Sequence, residues 1–251
     1  MFRTSHLRQA AIVAASTVMA GLPVADASTR PETITTIVRH IATACPDADL
    51  VAQPRSAFTP APPGNALFRF QLGKARNAVI CLVNEIRQRE GRSTLSFPKA
   101  IKRRGVPNQP GGMAEAANLH ANQAAALRWW GTKEQVGNCE PQEHNPSLCD
   151  AHINPQTKST PTSRLQDAGY DKRCKNGWGS GENAYTGWGA ASITPRVAVE
   201  RWMSSKPHYD NIMKPEWRET QVGVAWGSAS PTAPANEPGL TYVQVFGYCN
   251  E

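Results

Sequence analysis

The sequence predicts an α+β fold, and three observations carry that prediction. Val79, Leu82, Val83 and Ile86 recur at i, i+3, i+4 and i+7, the stripe of an amphipathic helix. Thr194-Pro195 opens another helix far downstream, a hydroxyl cap followed by Pro in the first turn. Two late stretches, TQVGVAW and TYVQVFGY, alternate apolar with small or polar residues, as half-buried strands do. A Pro-rich loop from Ser228 to Gly239 joins them, so an antiparallel pair is expected. Helices at both ends with strands late give an α+β sandwich.

In chain order, residues 1–27 read as a secretory signal peptide. Arg3 and Arg8 start it, Ala10 to Leu22 is mostly apolar, and Ala25-Asp26-Ala27 has the small-x-small pattern of a cleavage site. The apolar run is too short to anchor a membrane span, and no later stretch is long enough. The mature chain, cleaved near Ala27, is expected to be soluble and exported. Residues 28–73 read as an N-terminal extension and Pro-rich linker, with a short helix in TITTIVRHIATACP and a linker in AQPRSAFTPAPPGN. The domain proper is placed at 74–251.

Gly91 stops the first helix of that domain. LSFPKAIKRRGVPNQPGG is a basic loop. An Ala-rich helix follows from about Ala114 to Trp130, with Ala117, Ala121, Ala124 and Ala125 on one narrow face and His120 beside it. His120 reads as a core histidine satisfied by hydrogen bonds. Residues 131–178 are irregular, with a helical signal at TSRLQDAGY. The helix from Thr194 carries Val197, Val199 and Trp202 and ends near Ser205. Trp202 and Trp226 read as core residues.

The mature part holds six cysteines and no CxxC, which argues for disulfides in an oxidising compartment rather than a zinc ribbon. Six cysteines allow fifteen connectivities. Cys139–Cys149 is the easiest local pair, and Cys45–Cys81 with Cys174–Cys249 is the pairing taken for the rest. The formal charge is +7, and removing Arg3, Arg8 and Asp26 with the leader leaves +6. Such a balance serves solubility and also draws a protein to anionic wall polymers or lipid head groups. No zinc finger or RNP-like pattern points to nucleic acid.

Six stretches resemble the bacterial branch of the CAP superfamily, which joins cysteine-rich secretory proteins, antigen 5 and plant pathogenesis-related proteins. They are CLVNEIRQREG, AANLHANQAA, HINPQTKSTPTSRLQDAGY, GENAYTG, VERWMSSKPHYDNIMKPEWRETQVGVAW and YVQVFGYC, in the family's order across 81–249. The resemblance implies an α-β-α sandwich (the SCP-like fold) with a central antiparallel sheet. It also implies a wide cleft that in many members holds two His and two Glu. On this sequence the first His is His152, by its spacing to Arg164, and the first Glu is Glu182. The second Glu falls on Ser205 and the second His on Arg218. His208 in KPHYDNI, as in the bacterial branch, is placed to reach the same cleft from a helix end.

The cleft set is therefore His152, Glu182, His208, Asn183 and Arg218. Two His and one Glu form a sensible ligand set for zinc or a similar divalent ion, although no HExxH helix holds them together. Without metal, Glu182 in the glycine-rich loop GSGENAY can act as general base with a His as acid. Burial between Trp178 and Trp188 would raise its pKa and a nearby imidazolium would lower it. Equally, Glu182 and Asn183 can simply anchor a loop whose glycines supply positive φ. His144 is a rival to His152, but the Cys139–Cys149 interval marks an exposed loop. Ser180 lacks the flanking glycines of a nucleophile elbow. Glu200, the other carboxylate a glycosidase would need, is expected to face solvent.

The resemblance also implies binding of sterol or fatty acid, or of other proteins. Trp178, Tyr185, Trp188, Tyr209 and Trp217 would suit an apolar groove. The expected role is extracellular binding of a lipid or cell-envelope component through the His/Glu cleft. The alternative is a metal-assisted hydrolase acting on protein or wall polymer.

Overall fold

A computed structural model of the chain describes residues 33–54, 66–98 and 112–250. The signal-peptide reading of residues 1–27, the linker core 55–65 and most of the basic loop after Ser96 fall outside these residues.

Seven α-helices and three strands follow in order among the described residues. They are α1 Ile34–Ala42, α2 Ala66–Arg89, α3 Met113–Leu127, α4 Lys133–Val136, α5 Pro161–Asp167, β1 Trp178–Trp188, α6 Pro195–Met203, α7 Lys206–Met213, β2 Glu219–Trp226 and β3 Gly239–Cys249. The strands form one antiparallel sheet in the order β1-β3-β2. Thr33, Thr160 and Thr194 cap α1, α5 and α6 by accepting a backbone N–H in the first turn.

Strand alternation sends each residue to one of two helical layers. On one face Val222, Val224, Tyr242 and Phe246 pack with Val79, Leu82, Val83 and Ile86 of α2 and with Trp202 of α6. On the other face Ala225, Val243 and Val245 pack with Ala117 and Ala121 of α3 and Leu165 of α5. Helices therefore cover both faces of an antiparallel sheet, the α+β sandwich expected. The small face of α3 matters here. A Cβ at Gly223 would stand 2.2 Å from the Ala117 carbonyl oxygen, so helix and strand meet backbone to backbone.

Several expectations need correction. Residues 33–54 are not a separate extension: Val38, Ile41, Cys45, Ala48 and Ala52 are buried in the larger core cluster, and α2 begins at Ala66, upstream of the boundary at 74. The described residues from Thr33 onward gather into one compact unit. The amphipathic α1 packs its short apolar face on α2 and α6. The stretch GSGENAY is not a loop either. It forms the first half of β1, paired residue for residue with β3 from Trp178↔Cys249 to Trp188↔Gly239. The positive-φ glycines, Gly177 and Gly189, lie just outside the strand. Inside it, Gly181 is small because a side chain would strike Asn211 and Trp217. Finally, the Ala-rich helix ends at Leu127, and a separate α7 follows α6 and carries His208.

The cysteines close three disulfides, Cys45–Cys81, Cys139–Cys149 and Cys174–Cys249, the pairs named from the sequence. Three disulfides fit an exported protein. Cys45–Cys81 fastens the segment after α1 to α2. Replacing both cysteines by Ala should lower the unfolding free energy by about 2–4 kcal/mol, read as a lower urea midpoint with the fold retained. No described helix is long and apolar enough to cross a membrane.

Candidate functional site

Strand parity places Glu182 on the face of β1 that looks toward α3 and α5, opposite Val245. An acid there leaves water, so it needs partners. Arg164 of α5 supplies two of them, its Nη2 donating to Glu182 Oε1 at 2.9 Å and Oε2 at 2.7 Å. Both side chains are about 1% exposed. His152 Nδ1 lies 2.9 Å from Glu182 Oε1, and this imidazole keeps 33% of its surface open to solvent. His120 of α3 closes the back of the site, fully buried, with Nε2 3.6 Å from the same oxygen.

The loop that carries His152 is held at three successive carbonyls by side chains from two helices and the segment between them. Trp129 Nε1 donates to Asp150 O at 3.1 Å, His120 Nε2 to Ala151 O at 2.9 Å, and Arg164 Nη1 to His152 O at 3.0 Å. The Asp150 carboxylate accepts from the His152 amide at 2.8 Å. Arg164 thus holds both the carboxylate and the loop whose imidazole meets that carboxylate. With Nδ1 engaged on Glu182, the ring of His152 is oriented and its other nitrogen is left for whatever enters the cleft.

The electrostatics separate the three histidines. Burial lowers His120 to about 4, against the raising pull of Glu182, so it is neutral at pH 7. Burial also lowers His208 to about 4, helped by the charge of His152. Burial works against the charged form of His152 too, but the hydrogen bond and charge of Glu182, with Asp150, overturn it and raise its pKa. Burial pushes the Glu182 carboxyl up, yet His120, the His152 bond and Arg164 together hold it at about 2. At neutral pH His120 carries no charge, so Arg164 is the standing cation there and the His152 hydrogen bond adds to it.

The expected cleft residues divide. His152 and Glu182 meet directly. His208 feels His152 electrostatically but approaches from the other side of β1. Its carbonyl accepts from Asn183 Nδ2 at 3.2 Å, and Asn183 Oδ1 accepts from Asn211 at 2.9 Å. Asn183 points to the α7 layer because it neighbours Glu182 on a strand, so the two cannot share a pocket. Arg218 does not join the site; it is exposed and donates to the Pro215 and Trp217 carbonyls. His144 is exposed, and Glu200 is bound by Arg196 at 2.7 Å. The two residues that sequence reasoning left out of the site, His120 and Arg164, are its buried half. No local signal pointed to them, because Glu182 lies between Gly181 and Asn183, residues that read as a turn.

The aromatic residues do not line one groove. Trp178 packs beside Tyr170 on the α3/α5 side, whereas Trp217 is buried against Phe246 on the other. Trp202 is core, Trp226 is half-buried, and Trp188 is exposed. Two cavities, of about 420 and 500 Å³, lie elsewhere. One is bounded by Val51, Trp226 and Glu237 and the other by Arg92, Tyr209 and Lys214. At His152 the imidazole keeps a third of its surface open, beside the polar groups of Glu182 and Arg164.

A divalent metal does not fit these residues. Both oxygens of Glu182 accept from a guanidinium, which would repel a second cation. Among the described residues no group of three or more His, Cys, Asp or Glu side chains is placed to hold a metal ion. Nor is any hydroxyl or thiol hydrogen-bonded to His152 among them. The arrangement oriented for chemistry is a single His–Glu pair backed by Arg164.

No family model and no curated protein matches the chain. Among solved structures it is similar to an extracellular protein containing an SCP domain from Bacillus anthracis str. Ames, with 17% identity over 72% of this chain and a TM-score of 0.40. It spans 43% of that protein's length. It is also similar to an outer surface protein from Borrelia burgdorferi, with 13% identity, 68% of this chain and 90% of that one covered, and a TM-score of 0.36.

Proposed function

We propose that the chain is a secreted, CAP-type recognition protein that binds an anionic group of a lipid or cell-envelope component at His152. The observation that carries this reading is the 2.9 Å contact between His152 and Glu182 on an imidazole one-third open to solvent. The contact favours the imidazolium, and an imidazolium at a cleft mouth is a charge-assisted donor for phosphate or carboxylate. The formal charge of +7 favours the approach of anionic partners. The polar, charged neighbours of His152 suit a head group better than an acyl chain. Metal-assisted hydrolysis is not taken up, because the carboxylate it would use is committed to Arg164.

The test is a titration of the mature protein with inorganic phosphate, then with vesicles of anionic or zwitterionic lipid. His152→Asn should weaken phosphate binding at least tenfold while the thermal midpoint stays within a few degrees. The sign of the pH dependence is fixed. Because the pKa of His152 is raised, binding is full below the ordinary histidine value near 6.5 and fades as pH rises through the raised one. Equal affinity of the variant and the parent, or binding that strengthens with pH, overturns the reading. Vesicle binding without phosphate binding would place the lipid contact elsewhere.

A further inference from the structure

The outer edge of β1 offers a second kind of recognition. The sheet order leaves β1 and β2 as edge strands. The β2 edge is occupied: Ser96 N donates to Arg218 O at 2.9 Å and Thr220 N to Ser96 O at 3.0 Å. Among the described residues the β1 edge is occupied toward its far end, where Trp202 Nε1 donates to Ala184 O at 3.1 Å.

That contact fixes the parity. In an antiparallel ladder a residue turns both its N–H and its C=O to the same side, and neighbours alternate. Ala184 faces outward, so Ser180 and Glu182 do too. Burial agrees. Glu182 is 9% exposed as a residue while its side chain is 1% exposed, so its accessible surface is main chain. Among the described residues no backbone group from outside the sheet hydrogen-bonds the main chain of Ser180 or Glu182.

Natural edges of this length are guarded by Lys, Pro, a bulge or an inward twist. Trp178 to Glu182 has no Lys or Pro and keeps unbroken register with β3, and its one inward charge, Glu182, is already paired with Arg164. Gly179, Ser180 and Gly181 put no bulky side chain of β1 beside this edge.

We propose that the β1 edge at Ser180–Glu182 docks an extended segment of another protein by strand addition. The segment's backbone would pair with the outward amides and carbonyls of these two residues, as peptides do on open sheet edges. Side chains of an added strand alternate between the two faces. Those on the α5 face run beside His152, so the partner is a segment with an acidic side chain at that position. This acidic preference, unlike the strand pairing, rests on the charged His152 of the proposed anion site.

The experiment uses the mature protein and three blocked pentapeptides: acetyl-Thr-Val-Glu-Val-Thr-amide, its counterpart with Lys for Glu, and the Glu peptide N-methylated on alternate amides. Amide resonances are followed by NMR. The Glu peptide should perturb and protect the amides of Ser180 and Glu182. The N-methylated peptide and Ser180→Pro should each weaken binding at least tenfold. Proline is tolerated at an edge position whose N–H is outside the ladder, and phosphate binding at His152 reports that the variant is folded. The Lys peptide should bind at least threefold more weakly than the Glu peptide, and His152→Asn should erase that difference alone. Equal binding of the N-methylated peptide overturns the proposal, and so does an unchanged affinity in Ser180→Pro. Concentration-dependent protection of the two amides without peptide overturns it in favour of pairing between copies of this chain.

Discussion

Replacing Arg164 with Met should lower the unfolding free energy by about 3–5 kcal/mol, the range for removing one partner of a buried ion pair. Met keeps most of the volume, so lost packing is a small part of the effect. The large part is Glu182. Without Arg164 its carboxylate retains only His152 among close donors, and its pKa must rise. The same substitution frees the His152 and Ser159 carbonyls, to which Arg164 Nη1 donates at 3.0 and 2.9 Å. The urea midpoint should fall with an unchanged slope. Adding Glu182→Met should recover much of the loss, because replacing both partners removes the unpaired charge along with the pair. A single-variant cost below about 1 kcal/mol would mean that water reaches Glu182 and the pair is not closed.

Much of this architecture was legible in the sequence because its signals are local. The α2 stripe, the Thr194-Pro195 cap and the alternation of β2 and β3 each depend on a few neighbouring residues. The motif order led to the two-layered helical packing and to His152 and Glu182. What was not legible depends on close approach between distant segments. GSGENAY reads as a turn because glycine is poor in strands. Its glycine at 181 exists because Asn211 and Trp217, some thirty residues later, press against β1. Once GSGENAY is a strand, Glu182 and Asn183 must part to opposite faces, and the predicted five-residue cleft cannot close. Arg164 and His120 were hidden for a related reason. Each sits on a helix whose spacing marks it as a buried position, and a buried position alone does not say that its neighbour is an acid.

The clamp on the His152 loop turns this burial to use. Trp129, His120 and Arg164 fix three consecutive carbonyls, so the imidazole is placed before any ligand arrives. The cost of holding a charged group in the interior is then visible as acid sensitivity, which is the second large prediction.

Acidification should destabilise the protein in two overlapping steps. His120 has its folded pKa lowered from 6.5 to about 4, so the unfolded chain binds its proton first and stability falls between those values. At 1.36 kcal/mol per unit the loss is about 3 kcal/mol. Glu182 is lowered from 4.5 to about 2, so its stabilising contribution is present above 4.5 and disappears as pH falls toward 2, by a similar amount. His152 has the opposite sign: its pKa is raised, so its contribution is complete below 6.5 and is lost as pH climbs through the raised value. The three together put the stability maximum near pH 6.5. Urea midpoints measured from pH 8 to pH 3 should trace this dome. In His120→Gln the fall between pH 6.5 and 4 should flatten and the lower step should shrink without vanishing, since Glu182 loses the pull of His120 but still has His152 and Arg164. A dome unchanged by His120→Gln would assign the acid step to other groups and would mean that the imidazole behind Glu182 is reached by solvent.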